Sequence, residues 1–270
     1  MTRAPAPAKI NLSLVVGPAR ADGKHEVVTV YQRVALSDRI AVERSPEVRV
    51  AGFADDTLVR RALERMSDGN GGSFAARIQK RIPVAAGLGG GSSDAATALR
   101  LANALRTEPY SVDRLHAFAR DLGADVPYFL EEGPQLGTGD GAELESLELP
   151  QDYWILLVLP RSRVKSSTEN VYADFDARGG ARGYEERRAA LLDALARVKR
   201  PRDLAALPTN DLATSPLAAE LAALGAFRAD VTGAGPTVYG LFLHGRQVRA
   251  AQKRMSPKGR TWITAPAWYG

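Results

Sequence analysis

The sequence predicts mixed strands and helices in about two domains dividing near residue 150, and three observations carry that reading. Near the start, PAKINLSLVV alternates polar and apolar side chains, which is the period of a strand. In the middle, the glycine run GLGGGSSDAA enters a segment whose apolar residues recur at helical spacing. Around QDYWILLVLP the pattern becomes a buried strand, so the preceding loop separates an N-terminal domain, residues 1–150, from a C-terminal domain, residues 151–270.

The first strand puts Lys9, Asn11 and Ser13 on one face and Ile10, Leu12 and Leu14 on the other. Asp22-Gly23 signals a turn, after which VVTVYQRVAL and DRIAVERSPEVRVAG continue as strands. TLVRRALERM at 57–66 has helical spacing and ends before the loop SDGNGG, and GSFAARIQKRIPV is a strand that feeds the glycines. Beyond them Ala95, Ala98, Leu99, Ala102 and Leu105 form a helical stripe, with Ser92 or Ser93 as N-cap and Asp94 at the positive end of the helix dipole. SVDRLHAFARDL is a second helix, capped by Ser111 and stopped by a left-handed Gly123. In the second half, helices are expected at about 184–199, at 217–224 and over VRAAQKRM, and RADVTGAGPTVYGLFL is a glycine turn entering a strand.

Composition narrows the function classes. Of 270 residues, 45% are apolar and 25% charged, the balance of an ordinary globular protein, and no apolar run reaches spanning length. A cytoplasmic setting without membrane partners is the resulting expectation. With no cysteine in the chain, disulfides, thiolate metal sites and cysteine nucleophiles are excluded. The net charge of +5 is diffuse: Arg161, Arg163 and Lys165 form one cluster and Lys253, Arg254, Lys258 and Arg260 another, without aromatic interleaving. Nucleic acid is therefore not an expected partner, whereas a small phosphorylated substrate suits the balance.

Glycine loses more conformational freedom on folding than any other residue, so four glycines within residues 87–91 need a reason. A helix N-terminus exposes unpaired N–H groups and positive dipole charge, and glycines let phosphate oxygens approach that backbone. Residues 87–93 are thus a phosphate cradle or a flexible linker between two patterned elements. No Walker loop occurs, and Ser92 stands where a dinucleotide fingerprint starting at Gly87 needs glycine. GTGDGA at 137–142 fits the looser GxGxxA but is followed by no helical period, so the match is chance or a turn. TGAGPT at 232–237 is either a second anion-facing turn or a tight strand connection. Asp125 follows a helix-ending glycine and precedes an apolar run, where a carboxylate requires compensation, and Lys9 is a possible partner. Spacing alone leaves that pair beside a solvent-facing strand and an N-capping aspartate. His25 is a pocket-edge or a surface residue, and neither HExxH nor GxSxG occurs to support zinc or serine hydrolysis.

Taken together, PAKINLSL, PxxxGLGGGSSDAA and TGAGPTVYGLF resemble the three signature motifs of the galactokinase, homoserine, mevalonate and phosphomevalonate kinase superfamily. Within it, APAKINL, DGKHEVVT, LGADVPYFL and NDL at 210–212 are most similar to the kinases of 4-diphosphocytidyl-2-C-methyl-D-erythritol in non-mevalonate isoprenoid synthesis. The resemblance implies an ATP-dependent, Mg²⁺-requiring enzyme that phosphorylates the 2-hydroxyl of the methylerythritol moiety. It also implies an α+β small-molecule kinase fold, ribosomal-protein-like in its N-terminal domain and ferredoxin-like in its C-terminal one, with the active site in the cleft between them. A monomer or weak homodimer is expected.

By motif match Asp125 becomes the catalytic base and Lys9 its partner. The ATP phosphates fall to Pro83, Val84, Ala85, Ala86, Gly87, Leu88, Gly89, Gly90, Gly91, Ser92 and Ser93, and the cytidyl substrate to Asn11, His25, Thr168 and Tyr172, the last by stacking on cytosine. No metal ligand is assigned. Two departures stand out: Lys24 replaces a tyrosine usual in the family, and Thr57 replaces a frequent asparagine near the adenine pocket. A sister kinase of homoserine or mevalonate type and a non-catalytic nucleotide-binding module are the alternatives.

Overall fold

In a computed structural model of the chain, residues 1–53, 56–67, 72–161 and 167–267 are described. Arg163 and Lys165 of the first basic cluster, and positions 68–71 of the SDGNGG loop, lie outside the described residues. Two compact units are each assembled from separate stretches: the first from 1–8, 36–84 and 89–132, the second from 9–35, 85–88 and 133–270.

The strands β1 (Thr2–Ala19) and β2 (His25–Ser45) pair with each other and pass through both divisions of the chain. Their connection is the expected turn at Asp22-Gly23: Gly23 takes φ +80°, Lys24 N–H donates to Asp22 Oδ1 at 3.1 Å, and Arg20 N–H donates to the Lys24 carbonyl at 2.7 Å.

The first unit continues with β3 (Arg49–Ala51), α1 (Leu58–Met66), β4 (Ser73–Gln79), α2 (Gly90–Leu105) and α3 (Val112–Leu122). β4 runs antiparallel to the second half of β2, with Arg39 opposite Gln79, and parallel to β3. The three helices pack on one another. α1 buries Val59, Ala62, Leu63 and Met66 at the i, i+3, i+4, i+7 spacing its sequence shows, each large side chain contributing about 1.5–3 kcal/mol. On α2 the apolar part of the buried stripe is Ala95, Ala96, Ala98 and Ala102 with Leu99, which lets neighbouring backbones approach closely, and Ser93, Asp94 and Thr97 are buried with it.

The second unit adds the hairpin β5 (Gln135–Thr138) and β6 (Glu143–Ser146), joined through the GTGDGA turn and paired to the first half of β2 by Thr29 opposite Gly137. The remaining elements are β7 (Trp154–Pro160), α4 (Thr168–Ala177), α5 (Tyr184–Ala196), α6 (Pro216–Ala223), β8 (Arg228–Val231), β9 (Val238–Phe242), α7 (Gly245–Met255) and β10 (Gly259–Thr264). Four of these strands form an antiparallel sheet in the order β10-β7-β9-β8. One face of it carries Leu156, Val158, Val238 and Phe242 against Leu221 of α6 and Val248, Ala251 and Met255 of α7. No helix of the described residues is long and apolar enough to cross a membrane.

Three local expectations change. The helix after the glycines starts at Gly90 with Gly89 as a left-handed N-cap, φ +66°, so Ser92 and Ser93 lie inside the first turns rather than capping them. Gly123 ends α3 in an extended conformation, φ 164° and ψ 156°, because the chain runs straight into the turn that carries Asp125. The polar face of β1 is not a solvent face: Lys9 and Asn11 are 4% exposed and Ser13 1%. Ser111 does cap α3, its hydroxyl accepting from Arg114 N–H. Ser111→Ala should therefore cost about 1 kcal/mol, read as a lower urea midpoint with an unchanged m-value.

Candidate active site

Burial of the Lys9 face obliges every polar group on it to find a partner. Lys9 Nζ donates to Asn11 Oδ1 at 2.7 Å and lies 5.3 Å from the centre of the Tyr31 ring. Asn11 Nδ2 donates to Thr29 Oγ1 at 2.8 Å, and that hydroxyl donates to the Ser13 carbonyl at 2.7 Å. The Asn11 backbone N–H donates to Thr232 Oγ1 at 3.0 Å, and the Thr232 hydroxyl lies 3.3 Å from the Gly87 carbonyl. Lys9 N–H bonds the Leu88 carbonyl at 3.0 Å, and Thr237 N–H the Ala86 carbonyl at 3.4 Å. The first motif, the glycine segment at 86–88 and the TGAGPT turn thus meet within the second unit.

Backbone conformation there is demanding. Gly87 has φ +76°, and a Cβ on it would stand 2.5 Å from the Thr232 carbonyl oxygen and 2.9 Å from that of Gly235. A Cβ on Gly233, φ +57°, would lie 3.7 Å from Lys9 Nζ. Ala85 holds φ +52°, a conformation that costs a residue with a side chain on the order of 1–3 kcal/mol. The turn is held from behind by Asn210, whose Nδ2 donates to the carbonyls of Val231 and Gly233 while its Oδ1 accepts from Leu212 N–H. Beside it the buried Arg228 guanidinium bonds the Leu204, Leu207 and Pro208 carbonyls and the Tyr239 hydroxyl, and burial pushes that phenol up to about 12.

His25 opens β2 and meets α4. Its Nε2 lies 2.8 Å from Asp176 Oδ1, and its ring lies 4.7 Å from that of Tyr172, tilted by 31°. Thr168, exposed, stands one helical turn before the half-buried Tyr172 on the same face. The structure therefore groups His25 with Tyr172, and Lys9 with Asn11, as two clusters. Lys24 is ion-paired with Asp140 in the β5–β6 turn. Burial opposes ionisation of Asp140, yet the hydrogen bond and charge of Lys24 hold its carboxyl below the usual range.

In the first unit Asp125 occupies the turn between α3 and the 3₁₀ helix Pro127–Phe129, half-buried, where Val126 N–H bonds the Gly123 carbonyl. The first N–H groups of α2 have no side-chain cap from Gly89, and the buried Ser93 hydroxyl has no hydrogen-bond partner among the described residues. Thr57 does not cap α1 either; Asp56 does, accepting from Val59 N–H at 2.6 Å. Behind α2, Lys80 Nζ donates to Asp38 Oδ2 at 2.5 Å and to Asp94 Oδ2 at 2.8 Å. Burial raises Asp94 to about 8, Lys80 opposing the rise and Asp38 adding to it.

Residues 57–133 match the GHMP kinases N terminal domain. A 4-diphosphocytidyl-2-C-methyl-D-erythritol kinase of Anaeromyxobacter dehalogenans is 39% identical over 88% of this chain and 79% of its own length, and one of Prosthecochloris aestuarii is 34% identical over 95% and 94%. The chain belongs to this kinase family. A crystal structure of 4-(cytidine 5'-diphospho)-2C-methyl-D-erythritol kinase, 32% identical, superposes with a TM-score of 0.79 over 98% of this chain and all of its own. A mevalonate kinase structure shares the fold at 14% identity, TM-score 0.75, over 98% and 99% of the two chains.

For this family member, sequence reasoning missed Thr29, Thr232, Asp176 and the Asp38–Lys80–Asp94 cluster. Thr29, Thr232 and Asp94 carried a signal as members of DGKHEVVT, TGAGPT and GLGGGSSDAA; Asp38, Lys80 and Asp176 are single polar residues whose partners come from distant segments. Gly87→Ala should displace the segment and lower both melting temperature and ATP affinity, since two backbone carbonyls block the methyl group; differential scanning fluorimetry with and without ATP reads both effects. Asp94 ionises at about pH 4 in the unfolded chain and at about 8 in the folded one, so the unfolded state loses its proton first and stability falls as pH rises between these values. Asp94→Asn should remove that slope, with its melting temperature exceeding wild type by a margin that grows from pH 4 to 8.

Proposed function

We propose that the chain transfers the γ-phosphoryl group of ATP to the 2-hydroxyl of 4-diphosphocytidyl-2-C-methyl-D-erythritol. The observation that carries this reading is the meeting of Lys9 and Asn11 with the 86–88 carbonyls and the Thr232–Gly233 turn, on top of the family membership. Phosphoryl transfer asks a protein chiefly for positioning and charge stabilisation. Backbone N–H groups along Pro83–Ser93 and the start of α2 hold the phosphates. Asp125 accepts the hydroxyl proton as the acceptor oxygen attacks phosphorus. Lys9, fixed in direction by Asn11, is the partner of that carboxylate. Asn11, His25, Thr168 and Tyr172 receive the cytidyl substrate, the last beside the His25 ring.

Among the described residues no group of three or more His, Asp or Glu side chains could hold a metal ion. That donor set fits a Mg²⁺ carried mainly by phosphate oxygens, with the partnerless Ser93 hydroxyl as one protein oxygen available to it. When bound, Mg²⁺ neutralises charge on the transferring phosphoryl group.

The order of β7, the helices α4 to α6, β8, β9, α7 and β10, and the β10-β7-β9-β8 sheet, support a ferredoxin-like C-terminal domain over 151–270. A ribosomal-protein-like domain over 1–150, an active site in the cleft between the two, a cytoplasmic setting and a monomeric or weakly dimeric state belong to the same proposal. Asp125→Asn should lower kcat by roughly two to four orders of magnitude with an unchanged circular dichroism spectrum. A coupled ADP-release assay with the cytidyl substrate, homoserine and mevalonate checks both base and acceptor: near-normal turnover of the variant removes the base, and preference for another alcohol removes the substrate.

A further inference from the structure

One cluster in the first unit has chemistry that the reaction above does not use. Asp38 and Asp94 are fully buried and the Lys80 side chain is 16% exposed, so one ammonium lies between two carboxylates in the interior. Its members are placed around the glycine segment. Lys80 ends the stretch after β4, three residues before Pro83, and Asp94 is the fifth residue of α2. Asp38 reaches from β2 and takes the Arg81 and Ile82 N–H groups on Oδ1, the latter at 2.9 Å. A Cβ on Gly90 would meet Lys80 Nζ at 3.3 Å and Ile82 Cγ2 at 3.0 Å, so the ammonium and the strand end lie directly against the first residue of the helix.

We propose that Asp38, Lys80 and Asp94 are positioning residues for nucleotide binding: the ammonium joins the strand end before the glycine segment to the helix after it, and fixes the helix N-terminus at which the phosphates bind. The proposal rests on reading residues 83–93 as the phosphate-binding segment. Two physical consequences follow from the geometry. Movement of α2 relative to residues 80–82 requires breaking a buried hydrogen bond to a charged group, which makes the helix start a stiff, pre-oriented donor array. The ammonium also places a positive charge beside the same helix end, which favours an anion there.

A positioning role separates from a purely structural one because the cluster is a poor source of stability. Replacing Asp94 with alanine removes a buried acid and supplies a strong helix former, while the Lys80–Asp38 pair survives. Asp94→Ala should therefore melt at or above the wild-type temperature, yet bind ATP about tenfold more weakly, with KM for ATP raised in step and kcat changed by less than about threefold. Asp94→Asn keeps an oxygen for Lys80 and should restore wild-type ATP affinity. Asp38→Asn turns an amide against either the ammonium or the Arg81 and Ile82 N–H groups and should reproduce the alanine effect. Equilibrium titration of the full chain with ATP, followed by steady-state kinetics, measures all of these. ATP binding within about twofold of wild type in both Asp94→Ala and Asp38→Asn overturns the proposal, and should the alanine variant fail to fold, Asp38→Asn decides alone. Wild-type protein that binds no ATP overturns the phosphate-segment reading along with it, a result distinct from failure of the clamp.

Discussion

A strand with polar residues buried on one face and apolar residues buried on the other can exist only if the rest of the fold supplies hydrogen bonds to it. β1 is such a strand, and the second unit is arranged around that requirement. The Lys9 ammonium, the Asn11 amide and the Thr29 hydroxyl form one chain of bonds, and Thr232 and the carbonyls at 87 and 88 complete it. Leaving any buried member unpaired costs roughly 1–3 kcal/mol, more for the charged one. The same network that satisfies the strand also fixes where the glycine segment and the TGAGPT turn can be. Stability and site geometry are here one constraint, because the groups that complete the network are the Gly87 and Leu88 carbonyls and the Thr232 hydroxyl, which belong to the two other motifs.

Backbone approach explains why those motifs are rich in glycine. At Gly87 a methyl group would overlap two carbonyl oxygens that belong to the turn at 232–235, and both glycines 87 and 233 hold positive φ. Carbonyls, unlike side-chain ends, cannot rotate away, so the sequence has no other residue to place there. Ala85 shows the complementary case, a side-chain-bearing residue held at φ +52° within the same segment. Behind the turn, Asn210 bonds two carbonyls and one N–H with a single amide, which the NDL tripeptide encodes and no aspartate could, since a carboxylate has nothing to donate.

Much of this was legible in the sequence, and the part that was not has a common physical character. Alternation located β1, helical spacing located α1, α3, α5, α6 and α7, and Ser111 was readable as a cap because an N-cap interaction is local. The glycine segment was legible as backbone that something approaches. The start of α2 was misread by three to four residues because Gly89 caps it through conformation alone, with no side chain to signal it. α4, with only Phe175 buried, has too little apolar stripe to betray a helix. Alternation could not tell that both faces of β1 are covered, since a polar residue facing water and one facing Thr232 are spelled identically. For the same reason Asp38 and Lys80 passed unnoticed: 42 positions separate them, and neither belongs to a motif.

The Lys24 substitution shows how charge is distributed near the candidate substrate residues. An extra lysine one position before His25 would be expected to add cationic attraction for an anionic ligand, but its ammonium is committed to Asp140, whose ionised form it stabilises. Arg20 in the same turn is likewise engaged by Glu26 at 2.9 Å and lies 3.6 Å from Asp22. The tips of both hairpins are thus nearly neutral, tied by ion pairs that cost their side chains freedom and contribute little net stability at an exposed site. On the proposed function the anion is then met by oriented backbone N–H groups, which carry partial charge without counter-ions and need no side chain to be ordered. That is the same economy seen at α2, where a glycine cap leaves the helix end open.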